Sequence, residues 1–286
     1  MKTENPPILT FPHKGGRKYL YVNGERAQSE KHYELPSENS KIVFESLRSY
    51  GGIIFRLKEH LKRLSESART IDLTLPKSVT HLEAELKSCL SQSLKKDAFL
   101  RISVDEYNSY ILVTERKRPT WIYEKGLRLK TVVMRKNMPN AIPSEIKTNA
   151  FLTNVLATLE SGEEDIDEAI LLDPNGFITE STVWNLFLIK EGIVFTAATG
   201  ILHGVTRQFV IECAESENLP IKESYLTRHD LWNAHEAFLT NTSGEIVPIQ
   251  SLDGRKIGMR IPGLITKRLM ASFQKRLFME LSNQAN

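Results

Sequence analysis

The spacing of apolar residues along the chain changes period several times, and each change marks an element. Residues 18–22 (KYLYV) alternate as a strand does and run into Asn23-Gly24, a two-residue hairpin turn. Residues 42–49 (IVFESLRS) alternate again, and Tyr50-Gly51-Gly52 turns them into IIFRL, a second hairpin. The period then lengthens. Leu57, Leu61, Leu64, Ala68 and Ile71 predict a helix over 57–71, which Pro76 closes off. Leu82, Leu86, Leu90 and Leu94 predict one stripe of a second helix. FLRISV (99–104) and SYILVTE (109–115) then form two strands around a polar turn. Strands packed with two helices make residues 1–118 a small α+β domain.

KRPTWIYEKG (117–126) has the composition of a linker, with the interdomain segment at 119–126 and a larger domain over 127–286. LRLKTVVM reads as a strand and NMPNAIP (137–143) as a proline-bearing loop. A helix follows from about 148 to 161, with Phe151, Leu152, Val155, Leu156 and Leu159 on its apolar face. EAILLD, FITES, NLFLI and IVFTA are strands, punctuated by Pro174-Asn175-Gly176 and Gly192. A helix starts near 205, strands lie near 221 and 237, a turn falls at 240–245, and a last helix covers 262–281.

Composition narrows the function classes. The chain has 286 residues, enough for a large core without disulfide or metal staples. Lys plus Arg total 38 against 35 for Asp plus Glu, a net +3 with no basic tail, which speaks against nucleic-acid binding. Cys89 and Cys213 sit in helical patterns as small core residues, and the seven histidines form no ligand pair, so no metal site is expected. The N-terminal stretch is polar and contains prolines, unlike a signal peptide, and no apolar run is long enough to span a bilayer. A reducing cytoplasm is the expected setting.

Four short segments carry candidate chemistry, each with a plain alternative. In HGVTRQFVIECA, Gly-Val-Thr opens a helix whose first-turn N–H groups make an anion site, with Thr206 as a cap and phosphate ligand; the alternative is an ordinary cap. In TNTSGEIVPI, Thr242-Ser243-Gly244 is a small-residue turn that exposes amides and hydroxyls to an anion, or is simply a turn. In FITES, Glu180 ends an otherwise apolar or small strand, where a carboxylate grips a protonated ring nitrogen or merely meets water. Lys147, in SEIKTNAFLTNVLA, precedes an apolar run; near such a run an amine loses its charge more easily and attacks carbonyls, although most such lysines are solvated. A phosphate cradle, a carboxylate for a pyridine nitrogen and an amine for an aldehyde are together what pyridoxal 5'-phosphate requires.

These segments resemble the class IV, or fold-type IV, pyridoxal-phosphate aminotransferases, which include branched-chain and D-amino-acid aminotransferases and aminodeoxychorismate lyases. The resemblance runs from about residue 18 to 275 and rests on VFESLRSYGGIIFRLKEHLKRLSESA, IKTNAFLTNVLA, DEAILLDPNGFITESTVWNLF, GILHGVTRQ and TNTSGEIVPI followed by SLDGRKIG. It implies a two-domain α+β fold: a small N-terminal α/β domain and a larger domain with a β-barrel-like sheet. It implies that Lys147 is the catalytic Schiff-base lysine. Glu180 faces the pyridine nitrogen, Arg56, Val205 and Thr206 hold the phosphate, and Thr242 is a second-turn contact. Substrate contacts fall at Arg101, Thr242, Ser243 and Phe44. It further implies a homodimer whose active site lies near the subunit interface and between the domains.

On that resemblance the expected activity is transfer of an amino group from an amino acid to a 2-oxo acid by a ping-pong route. Branched-chain L-amino acids are the default donors, D-amino acids and primary amines stay open, and 2-oxoglutarate is the acceptor. Arg101 lies where branched-chain enzymes carry an arginine for the side-chain carboxylate of glutamate; the alternative is a strand arginine facing water. Two departures bear on the substrate. Phe151 or Leu152 stands where those enzymes place a tyrosine near the cofactor's phenolic oxygen, and Asn39 and Ser40 fall where a Tyr-Gly pair is usual. His203 replaces a proline, and the turn DEYNS lacks the arginine and histidine of the D-amino-acid branch. The alternative enzyme is an aminodeoxychorismate lyase giving 4-aminobenzoate and pyruvate, and the non-enzyme alternative is a binding module that has lost turnover.

Overall fold

The computed structural model describes residues 18–27, 41–115, 117–137, 143–148, 152–162 and 165–285. Asn39, Ser40 and Phe151 lie outside them. The chain divides into two compact units, one of residues 1–117 with 146–150 and one of 118–145 with 151–286. Lys147 thus belongs with the N-terminal unit, although it follows 28 residues of the second.

The first unit contains β1 (Tyr19–Val22), β2 (Glu25–Arg26), β3 (Val43–Tyr50), β4 (Ile53–Ile54), α1 (Leu57–Thr70), α2 (Val79–Gln92), β5 (Phe99–Val104) and β6 (Ser109–Thr114). The strands form one antiparallel sheet in the order β2-β1-β6-β5-β3-β4. Asn23 and Gly24 both take positive φ, as the expected hairpin turn requires. Leu57, Leu61, Leu64 and Ala68 of α1 and Leu82, Leu86 and Leu90 of α2 bury against Val43, Leu47, Leu100, Ile102 and Val104. Leu94 is a correction to the second stripe. The helix ends at Gln92, and Leu94 has φ 58° and is 91% exposed. In β3 the helix-facing positions are Val43, Glu45, Leu47 and Ser49, all buried, so its polar alternates include two on the core side.

The second unit contains α3 (Trp121–Lys125), β7 (Leu127–Arg135), α4 (Leu152–Glu160), β8 (Glu168–Leu172), β9 (Ile178–Ser181), β10 (Asn185–Lys190), β11 (Ile193–Ala197) and α5 (Val205–Ser216). It continues with β12 (Ile221–Ser224), α6 (Arg228–Trp232), β13 (Glu236–Asn241), β14 (Glu245–Leu252), β15 (Arg255–Lys256) and α7 (Leu264–Ala285). Its sheet runs β12-β11-β10-β13-β14-β7-β8-β9, and β9 also pairs with β10. That last pairing closes six strands, β10-β13-β14-β7-β8-β9, into a barrel, and its one residue pair is Glu180 with Asn185. Leu129, Ile170, Leu186, Leu239, Val247 and Ile249 fill its core. Ile122 of α3 joins the same core, so the stretch expected as a linker is folded into this unit.

The helix expected over 148–161 is described from Leu152, and its apolar stripe does not face the core. Ala157 is its buried position, while Leu152 and Leu159 are 70% and 72% exposed. The periodicity identified the helix correctly but could not identify which face the sheet would take.

Candidate active site

Lys147 lies along an edge of β3. Thr148 bridges Val43 antiparallel, and the Phe44 N–H donates to the Lys147 carbonyl at 3.0 Å. From the other side, the Lys147 N–H donates to the Ser67 hydroxyl of α1 at 3.1 Å. The backbone on both sides of this lysine is therefore hydrogen-bonded to regular structure, which holds its side chain in place better than a free loop does. Its Nζ stands 4.8 Å from the centre of the Phe44 ring, and the Arg101 guanidinium stands 3.9 Å from the same centre. Phe44 thus gathers two of the expected site cations by cation–π attraction. Burial lowers Arg101 from the usual arginine value to about 10.

Behind this edge is a group of charges that the sequence reading did not single out. Glu45, fully buried, accepts from His60 Nδ1 at 2.8 Å, Arg63 Nε at 2.6 Å and Arg63 Nη2 at 2.7 Å. Burial alone would raise the Glu45 carboxyl. The Arg63 charge and the hydrogen bonds from His60 and Arg63 outweigh it and hold Glu45 far below the usual carboxylate range. His60 is lowered chiefly by burial, against the pull of Glu45. His60, Arg63 and Ser67 share one face of α1 at spacings of three and four, so the triad fixes the helix face that also holds Lys147. The one advance signal was a glutamate alternating with apolar residues in β3.

Arg56, expected as a phosphate ligand, is the N-cap residue of α1 and takes a left-handed conformation, φ 49° and ψ 43°. A non-glycine residue held there stores strain, a feature that concentrates at functional positions.

In the second unit, Glu180 is buried at the barrel closure. Its Oε2 accepts from Asn185 Nδ2 and the Leu202 N–H, each at 3.0 Å, and its Oε1 pairs with Lys136 Nζ at 2.7 Å. Asn185 also donates to the Leu202 carbonyl at 2.8 Å. Neither Asn185 nor Lys136 was among the expected site residues; an asparagine within the apolar run VWNLF was the available clue. A Cβ on Gly204 would come within 2.2 Å of Asn185 Oδ1, so only glycine lets α5 begin this close to the Glu180 network.

Val205 and Thr206 form the first turn of α5, both buried, and no side chain caps it. An uncapped helix start with a hydroxyl in its first turn suits a phosphate. At the second turn, Asn241 Oδ1 accepts from the Ser243 and Gly244 N–H groups at 3.0 and 2.8 Å, a side-chain-stabilised turn, and Thr242 lies between Asn241 and Ser243. The donor set thus fits a phosphorylated pyridine: an anion-receptive helix start beside a fixed carboxylate. Among the described residues no group of side chains could hold a metal ion.

The chain belongs to the class IV aminotransferases: the sequence model of that family, amino-transferase class IV, matches residues 42–252. It is 34% identical over 246 residues to a putative branched-chain-amino-acid aminotransferase of Methanocaldococcus jannaschii, covering 81% of this chain and 85% of that one. It is 31% identical to the D-alanine aminotransferase of Bacillus licheniformis, covering 83% and 88%. The fold superimposes with a TM-score of 0.84 on the T.th. branched-chain amino acid aminotransferase with pyridoxamine 5'-phosphate, at 25% identity and 91% and 93% coverage. The same enzyme, complexed with N-(5'-phosphopyridoxyl)-L-glutamate, superimposes at 0.83. The fold-type IV architecture is therefore established, and the chain is a transaminase whose cofactor is pyridoxal 5'-phosphate.

Proposed function

We propose that this class IV aminotransferase moves the amino group of an amino acid, by default a branched-chain L-amino acid, to 2-oxoglutarate by a ping-pong route. The observation that carries the reading is the Glu180–Asn185–α5 arrangement, a fixed carboxylate beside an uncapped helix start. Support for the acceptor comes from the relative that binds a phosphopyridoxyl-glutamate. A D-amino acid stays open as donor because one relative is a D-alanine aminotransferase. The relatives named above are all aminotransferases, and nothing in the site favours the lyase.

When bound, pyridoxal 5'-phosphate supplies a carbonyl carbon for amines and a ring that withdraws electrons from the substrate's Cα. Lys147 would hold that carbon through its Nζ and would serve as the base for the substrate's Cα proton. Glu180 would accept from the ring N–H, and Asn185 and the Leu202 amide hold its Oε2 in place. Val205 and Thr206, and on the resemblance Arg56, would hold the phosphate, with Thr242 as a second contact. Thr242 and Ser243 receive the substrate carboxylate, Phe44 walls the pocket, and Arg101 meets the distal carboxylate of glutamate. No helix among the described residues is long and apolar enough to cross a membrane, and a cytoplasmic setting is proposed from the sequence expectation alone. A homodimer is proposed on the resemblance alone.

The test is borohydride reduction of the holoenzyme, followed by peptide mapping. The cofactor is expected on Lys147 and absent from Lys147→Ala. L-valine, L-glutamate and D-alanine are then offered singly and the cofactor absorbance followed. If no donor converts the cofactor to its amine form, the aminotransferase reading fails.

A further inference from the structure

Arg118 has no role in the site described so far. It is a half-buried arginine at the start of the second unit that makes no ion pair among the described residues. Its Nη2 donates to Ser243 Oγ at 3.0 Å, and its guanidinium lies 5.1 Å from the centre of the Trp184 ring. Its Nε is fully buried and has no hydrogen-bond partner. The neighbouring carboxylate, Glu168, attracts it through space but forms no hydrogen bond with it among the described residues. That group already accepts from Thr182 Oγ1 at 2.6 Å, the Ala169 N–H at 2.9 Å and Trp184 Nε1 at 3.1 Å. The guanidinium is therefore kept in place by a ring and a hydroxyl, while its Nε has no partner.

The surroundings are shaped to keep it there. A Cβ on Gly244 would fall 2.2 Å from Trp184 Cη2, so the Thr242-Ser243-Gly244 turn closes directly over the indole that carries Arg118. Burying a guanidinium is costly unless it meets an anion, and burial already lowers Arg118 from its ordinary value. The planar fork of arginine matches a carboxylate in two parallel hydrogen bonds.

We propose that Arg118 is a carboxylate-binding residue of the Thr242–Ser243 turn, pairing with the carboxylate that amino acids and 2-oxo acids share. This rests on the aminotransferase reading and adds to it a charged anchor that neither the family resemblance nor the sequence motifs assigned. It makes carboxylate-bearing donors the preferred substrate class over primary amines.

Two measurements test it. Arg118→Gln is expected to weaken both 2-oxoglutarate, as KM, and the dead-end ligand propionate, as Kd from the cofactor absorbance, by about 10- to 100-fold. The fall in affinity should exceed any fall in kcat, and Arg118→Lys should recover part of it. An unchanged propionate Kd in Arg118→Gln, with a lowered Tm, would assign Arg118 to packing on Trp184 and overturn the proposal. Should that variant not fold, phenylglyoxal modification of the wild-type holoenzyme, mapped by mass spectrometry, decides. Propionate is expected to protect Arg118 and leave Arg128 unprotected, and equal labelling with and without it sinks the proposal. Labelling needs no turnover, so its outcome is separate from whether Lys147 carries the cofactor.

Discussion

Glu45 and Glu180 are both buried carboxylates in strands, 0% and 6% exposed, yet their surroundings differ in kind. Glu45 is enclosed by groups of its own unit, with Arg63 on both oxygens and His60 on one. Glu180 is held on one oxygen by neutral donors, Asn185 and a backbone amide, and on the other by a single ammonium, Lys136. The first arrangement is complete and fixes a helix to a strand. The second joins a strand end to a helix approach through neutral donors and meets one cation on its other oxygen. A buried carboxylate is therefore informative for function through what holds it, not through burial alone.

The comparison breaks most sharply at Glu45. Glu45→Ala leaves Arg63 buried without its anion, and urea unfolding is expected to show a loss of about 3–5 kcal/mol. A loss below about 1 kcal/mol would mean that the triad is not structural. Glu180→Gln is expected to do the reverse. It should cut the rate of the amino-acid half-reaction about 10²–10³-fold, on the scale of removing one electrostatic stabiliser, and lower stability by less than Glu45→Ala does. Stopped-flow absorbance and thermal melts read the two effects separately.

Acid sharpens the same contrast. The folded-state pKa of Glu45 is depressed, so its contribution is present above the unfolded value near about 4.3 and is lost as pH falls below it. His60 is also lowered, so the unfolded chain takes up its proton first and stability begins to fall below about pH 6.5. Melting temperature is expected to drop from about pH 7 downward, and Glu45→Gln should flatten the part of that profile below about pH 4. The smallest effect belongs to Leu94. Leu94→Lys is expected to shift stability by less than about 0.5 kcal/mol, since the side chain already stands in water, whereas Leu90→Lys on the true stripe should prevent folding. Circular dichroism melts distinguish the pair.

Much of this protein could be read along the chain. Hairpin turns are set by a few adjacent residues, and Asn23-Gly24 adopts the backbone its chemistry favours. The stripe of α1 is local too, because residues three and four apart share a helix face whatever the rest of the protein does. The motifs around Lys147, Glu180, Val205 and Thr242 were recognisable for the same reason: each is a short run with its own chemistry.

What the tertiary structure decided are the partners, since pairing across the chain has no local signature. Arg118 meets Ser243 across 125 positions, and Lys147 meets Ser67 across 80. Glu45 read as the polar alternate of a half-buried strand, yet it points into the core because α1 brings Arg63 and His60 to it. The stripe of α4 read as a buried face, yet it points outward because the sheet packs on Ala157. By itself the sequence determined the elements, the family and the candidate reactive lysine. Only the folded chain determined which charges are paired and which are left for a ligand, because a charge is satisfied by whatever lies within a few ångströms, and that distance is fixed by packing.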